Sequence, residues 1–339
     1  MGNSTDMEYS AGGRDTLSMK WRRQRGRLEV WYATVSDPRS RSGFWMHNEL
    51  ISPIGETGKP FIHGWAALFR KGEHPVMERY GPVEVDCEGS DWNTEGSSIP
   101  FIPTISGITL TPSRLSGKLH QLQWDLILDG EGATKPLFTF PSWAWSKEIL
   151  PGAQVVPVPS VSVSGKIHLE GTMGAPLELS GQARGNLAHI YSHSNSKKWG
   201  WLHADLGDGN VLEIVSAVPT RPGLSALPPF TLLQLRLGST DWPRDPMLAA
   251  PLFRSSLGLP RWSVHGTLGR WRVRVNVTLP ETEAITVAYK DPDGSPVTCT
   301  NCEVADAEII LEHKSASGWK VENKWMLDGC AHAEIGDRP

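Results

Sequence analysis

Alternation constrains this chain most. Residues 118–130, KLHQLQWDLILDG, switch between polar and apolar at nearly every step, the mark of a strand with one wet and one dry face. The same character runs through LEVWYATVS (Leu28–Ser36), SGFWMHNELIS (Ser42–Ser52), FIHGWAALFR (Phe61–Arg70), VMERYGPVEVD, SVSVSGKIHLEG and PLELSGQARGNLAHI. It resumes at WGWLHADLG (Trp199–Gly207) and NVLEIVSAV (Asn210–Val218), and continues through TLLQLRLGS, RWSVHGTLGRWRVRVNVTLP, AITVAYK, AEIILEHK and GWKVENKWMLDG. Gly, Pro, Asp and Asn punctuate the runs, as in KGEH, LDGEG and LGDGN. With 34 Gly and 26 Pro, long unbroken helices should be scarce. One helical turn is predicted at SWAWSKEIL, and a longer helix only near Asp245–Leu257. The Pro-punctuated, aromatic stretch Pro136–Pro159 reads as a loop crossing one end of a barrel.

Roughly sixteen or more short strands exceed one small barrel, so the chain is all-β with two consecutive sandwich or barrel domains. The predicted division is a loose arm over 1–20, one domain over 21–190 and a second over 191–339. No βαβ alternation or Gly-rich phosphate loop appears, so no nucleotide cofactor is expected. At 33 Lys+Arg against 37 Asp+Glu the chain lacks the positive field of a general nucleic-acid binder. The basic run Lys20, Arg22, Arg23, Arg25 and Arg27 reads as a solvated surface segment. No apolar leader and no membrane-spanning run is visible, and the expected location is the cytoplasm. Among the four cysteines, Cys299 and Cys302 form a close pair that Cys330 and His332 could extend to a zinc set. Ordinary strand cysteines are the simpler reading, and no metal is predicted.

Tryptophan is the compositional outlier, with 15 residues against 5 Tyr and 8 Phe. Large flat side chains with a hydrogen-bonding edge suit the wall of an apolar ligand site, and equally suit a solid core. In the Ser42–Ser52 strand, Trp45, His47 and Glu49 point one way and Phe44, Met46, Asn48 and Leu50 the other. A Trp-His-Glu row facing a lumen would put a proton donor in an apolar cavity; a surface Glu and a structural His are the alternative. Trp199, Trp201, His203 and Asp205 share one face of the next candidate strand, with Glu213 as a cross-strand neighbour. Lys324, near Trp319 and Trp325, either faces a pocket or is solvated. No nucleophile elbow or serine triad is present.

The segments FPSWAWSKEILPGAQVVPVPSVSVSGKI, GNLAHIYSHSNSKKWGWLHADL and the ending TCTNCEVADAEIILEHKSASGWKVENKWMLDGCAHAEIGDRP carry a family resemblance. From about residue 28 onward the chain resembles the fungal lipocalin-like pericyclases, or Diels-Alderases, distant relatives of bacterial carotenoid 1,2-hydratases. The resemblance implies two tandem lipocalin-like, calycin-type domains with a cofactor-free pocket at their junction. It implies an intramolecular cycloaddition on a polyketide- or terpenoid-derived intermediate of secondary metabolism. An acid-catalysed hydratase or isomerase of the same fold, or a passive binder of hydrophobic compounds, is the alternative. Matched by position, His47, Glu49 and His203 would be catalytic, and Trp45, Asn48, Trp199, Trp201, Glu213 and Lys324 would bind substrate. The expected partner is a hydrophobic small molecule, on a monomer or weak homodimer that engages no nucleic acid and inserts into no membrane.

Overall fold

In the computed structural model the described residues are 16–55, 58–85, 105, 107–129, 135–147, 150–170, 176–221, 223 and 225–339. Cys87 lies outside them. The first half of the chain forms β1 (Arg27–Asp37), β2 (Ser42–Ser52), β3 (Phe61–Arg70), β4 (Val76–Glu84), β5 (Ile108–Thr111), β6 (Arg114–Lys118), β7 (Leu122–Asp129), β8 (Leu137–Phe138), β9 (Gly152–Leu169) and β10 (Leu177–Ser192). A single helical turn, α1 (Ser142–Lys147), separates β8 from β9. The second half forms β11 (Lys198–Gly207), β12 (Asn210–Val218), β13 (Phe230–Leu237), β14 (Thr240–Trp242), α2 (Pro246–Ala249), β15 (Phe253–Ser256), β16 (Arg261–Leu268), β17 (Trp271–Thr278), β18 (Ile285–Lys290), β19 (Pro296–Ser315) and β20 (Gly318–Asp337).

These strands make two all-β sheets in tandem. The first runs β4-β3-β2-β1-β10-β9-β7-β6-β5, with β8 on β9; the second runs β14-β13-β12-β11-β20-β19-β17-β16-β15, with β18 on β19. The two paths are the same path, ten strands apart. In neither sheet does a ladder among the described residues join the two ends of the path. The described ladders therefore leave both sheets unclosed, short of lipocalin-type barrels.

The expected helix near Asp245–Leu257 shrinks to the four residues of α2, followed by a 3-10 turn and by β15. Pro251 and the apolar Phe253 explain why: the chain must extend to bury Phe253, which is 1 % exposed. The Pro136–Pro159 crossing is likewise only partly a loop, because Gly152–Pro159 belongs to β9. Pro157 and Pro159 are tolerated there because they sit beside register shifts in the β9–β10 ladder. They also fall in the gap between the pairings of β8 (to Val156) and β7 (from Ser162) on the other side. The expected loose arm is docked over its described part, residues 16–20. Leu17 and Lys20 are buried, Trp31 Nε1 donates to the Leu17 carbonyl at 2.9 Å, and the Lys20 and Trp21 amides donate to Glu29. Lys20 is thus no solvated member of a basic run; its ammonium lies 4.7 Å from the centre of the Trp145 ring.

β1 is buried on both faces. Trp31, Ala33 and Val35 enter the core of the first sheet, while Leu28, Val30 and Tyr32 pack toward the second with Trp201 and Val211. β2 divides in the same way. Phe44, Met46 and Leu50 join the first core, whereas Trp45, with Trp65 and Phe69 of β3, packs into the core of the second sheet. The alternate faces of β1–β3 therefore meet β11, β12, β19 and β20 between the sheets.

Candidate functional site

A cavity of about 790 Å³ opens between the sheets, within the range of small-molecule sites. Its wall includes Trp45, His47, Glu49 and Trp65 from β2 and β3, Tyr32 from β1, and Gln154 from β9. The second sheet adds Trp199, Trp201, Tyr289, Cys299 and Glu334. The Trp45-His47-Glu49 face thus looks into the void. Trp45 and Trp65 are near-parallel with ring centres 6.3 Å apart, and His47 lies 5.1 and 5.2 Å from them. Tyr32 meets Trp201 edge-on at 5.1 Å. Such stiff walls hold a ligand's shape at little ordering cost.

Four buried carboxylates each meet a histidine. His63 Nε2 lies 2.9 Å from Glu49 Oε2, His189 Nε2 2.8 Å from Glu29 Oε1, and His203 Nδ1 2.9 Å from Glu213 Oε2, while His332 Nδ1 bonds Glu303. Only Glu49 of these carboxylates reaches the cavity wall. His47 is 3.9 Å from Glu49 Oε2, and its Nε2 has no hydrogen-bond partner among the described residues. Burial pushes His47 down to about 4, against the opposing pull of Glu49, so its ring is neutral near pH 7.

Glu213 joins the halves of the molecule. It is 0 % exposed, and its Oε1 accepts from Trp201 Nε1 on the second sheet and from Gln154 Nε2 on the first, both at 2.6 Å. His203 and Glu213 are direct partners in the β11–β12 ladder, the neighbour relation expected from the alternation. Both stand behind the wall rather than on it.

Glu334 is the acidic wall residue that sequence reasoning missed, along with Tyr32, Trp65, Gln154 and Tyr289. It sits on β20 opposite Trp201 of β11. Its side chain is half-buried because part of it forms the cavity wall. Oε1 accepts from Trp199 Nε1 at 2.8 Å, and Oε2 accepts from the Cys299 thiol at 3.4 Å. Burial raises the Glu334 carboxyl above its ordinary value, with the Trp199 and Cys299 bonds acting against it. The signal was a period-two row, His332-Glu334-Gly336, alternating with buried Ala331, Ala333 and Ile335. Gly336 matters for a specific reason: a Cβ there would stand 1.9 Å from the Trp199 ring, so only glycine lets that indole lie on β20.

Besides Glu213, two further predicted binding residues lie off the wall. Asn48 is buried and points with Phe44, Met46 and Leu50 to the opposite face of β2. Lys324 is on the exposed part of β20 and pairs with Glu308 at 2.8 Å. The cysteine pair divides as well: Cys299 faces the cavity, and Cys302 is fully buried in the core. Burial holds both thiols protonated, Cys302 at about 12. Among the described residues no group of three or more His, Cys, Asp or Glu is arranged to hold a metal ion. No described helix is long and apolar enough to cross a membrane.

Comparison with known proteins agrees with this architecture. The chain is 38 % identical over 346 residues to the uncharacterized proteins MT0513 and Rv0493c of Mycobacterium tuberculosis strains CDC 1551 and H37Rv, covering 100 % of this chain and 96 % of theirs. The crystal structure of CghA with Sch210972 matches with a TM-score of 0.56 at 10 % identity, over 91 % of this chain and 87 % of that one. Kievitone hydratase from Nectria haematococca matches with a TM-score of 0.55 at 8 % identity, over 91 % and 88 %. At these identities the likeness is one of fold. A family model described as tocopherol cyclase-like matches residues 101–337, which hold Trp199, Trp201, Glu213, Cys299 and Glu334. This protein belongs to the tocopherol cyclase-like family.

Proposed function

We propose that the cavity is the active site of a cofactor-independent enzyme that closes a ring in, or hydrates, a small hydrophobic metabolite by general-acid catalysis. The observation that carries this reading is Glu334: a carboxyl group in a tryptophan-walled void, shifted by burial toward its protonated form. Glu334 would deliver its proton to a carbon–carbon double bond of the substrate. The cation formed would be held against the faces of Trp45, Trp65 and Trp201, whose ring quadrupoles favour positive charge. A hydroxyl of the substrate, or a water, would then attack the cation and lose its proton. Neutral His47 with its open Nε2, or Glu49 beside it, would receive that proton. Positioned acids and bases of this kind contribute about 10²–10⁴-fold each. Hydration is supported by the likeness to kievitone hydratase, and ring closure by the family description. On this reading each sheet is a lipocalin-like unit opened to share one cavity.

A pericyclic cycloaddition is the second reading. The stacked Trp45–Trp65 pair and the Tyr32–Trp201 edge contact favour it, because a flexible polyene folded between flat walls needs only orientation. His47 or Glu49 would then polarise a carbonyl without transferring a proton. CghA, solved with Sch210972, adds support through its fold.

Incubation of the purified protein with linear prenylated phenols and polyenes in D2O separates the two. Acid catalysis gives a ring of unchanged skeleton mass, or a hydrate, carrying one solvent deuterium on carbon, and Glu334→Gln slows it by about 10²–10⁴-fold. A cycloadduct without deuterium supports the second reading. Rates equal to the spontaneous reaction for the whole panel would remove both.

A further inference from the structure

The buried wall of the cavity and its exposed rim present different polar groups. Both carboxyl groups of the wall, Glu49 and Glu334, stand among largely buried residues with Trp45, Trp65 and Tyr289. The opposite end is rimmed by exposed residues, including His193, Thr220, Arg221 and Phe230, and no carboxylate is among them. Arg221 is the guanidinium of the wall, and among the described residues its side chain makes no hydrogen bond or ion pair. A second guanidinium stands behind the rim, where Arg27 Nη1 meets His193 Nδ1. Burial, with Arg27 beside it, lowers His193, so the positive charge at this end belongs to the arginines. The neighbouring carboxylate, Asp291, does not line the cavity and is occupied: it accepts from the Asn195 amide and Nδ2, and it pairs with Arg338 at 2.9 Å. A guanidinium with no partner among the described residues, at the lip of an apolar void, is a fork for a carboxylate or a similarly acidic oxygen.

We propose that the cavity takes an anionic amphiphile, its acidic head held at the rim by Arg221 with Arg27 behind, and its apolar chain directed inward past Tyr32 and Trp201 toward Trp45 and Trp65. This rests on the reading of the cavity as a small-molecule site. It adds which end of the substrate enters first, and so which end meets Glu334. An acidic head lodged inside would meet two carboxyl groups, whereas at the rim it meets only cationic and neutral groups.

The test uses three ligands with one chain length: dodecanoate, dodecan-1-ol and dodecylamine, below their aggregation limits, read by tryptophan quenching of the full-length protein. Dodecanoate is expected to bind roughly tenfold tighter than the alcohol, the amine weakest, and the preference should shrink with added salt. In Arg221→Gln, a change at an exposed position, the preference should fall toward one while affinity for the alcohol stays put. Equal binding of acid and alcohol by the native protein, tighter binding of the amine, or a preference that survives Arg221→Gln would overturn the proposal and leave the cavity's catalytic reading standing. Failure of all three ligands to bind would remove both.

Discussion

Replacing Glu213 by alanine attacks the joint between the sheets. The carboxylate holds Trp201 Nε1 and Gln154 Nε2 at 2.6 Å and His203 Nδ1 at 2.9 Å, with no solvent access. Its removal strands three buried polar groups, each costing about 1–3 kcal/mol, so the simple sum is about 3–9 kcal/mol. The three share one acceptor and are not independent, which brings the expected loss nearer the 3–5 kcal/mol typical of a broken buried pair, or about 4 kcal/mol. Against a total stability of about 5–15 kcal/mol that is a large fraction. Glu213→Gln keeps one oxygen as acceptor and turns an amide toward the remaining donor, so about 1–2 kcal/mol is expected. Urea unfolding followed by circular dichroism measures both, and ligand-dependent tryptophan fluorescence reports whether Trp201 and Gln154 still shape the wall. An alanine variant within about 1 kcal/mol of the native protein would refute the claim that this one carboxylate ties the halves together.

Three further outcomes are expected. Glu334→Gln retains an acceptor for Trp199 Nε1 and should leave the fold intact, yet lower turnover about 10²–10⁴-fold in a steady-state assay on any substrate found by the deuterium screen. Gly336→Ala places a methyl 1.9 Å from the Trp199 ring, so the indole must swing away from β20; dodecanol affinity should fall, and a crystal structure should show Trp199 displaced. His47 and His332 are held neutral by burial, down to about 4 and about 3, so their contribution is present above the ordinary histidine value near 6.5 and is lost as pH falls toward those lower values. Unfolding free energy should therefore drop on acidification from pH 6.5 to 4, and His47→Gln should flatten that limb; an unchanged slope in the variant would contradict it.

Where alternation was clean and turn residues flanked it, the sequence already showed the fold: β2 and β3 have the bounds read from Ser42–Ser52 and Phe61–Arg70. The prolines of β9 misled, because whether a missing amide hydrogen matters depends on a ladder partner that lies far along the chain. The two faces of β2 were separable, but not which one was lined by cavity; that choice is made by the second sheet. The Glu213–His203 neighbour relation was readable across one tight turn, whereas Glu334 needed the register of β20 on β11, more than a hundred residues apart. The Trp-rich surroundings of Lys324 left pocket and solvent both open; that part of β20 pairs with β19, and the Lys324 side chain is exposed.

The repetition of one strand path in both halves has a consequence for how such a site can evolve. Two identical subunits that self-associate must present the same residues to a shared void, so any acid on one wall is copied on the other. Joining the halves in a single polypeptide releases that constraint. Here one wall carries the Glu49–His63 pair and the other the Glu334–Trp199 pair, an asymmetry that a dimer of single sheets could not encode in one gene.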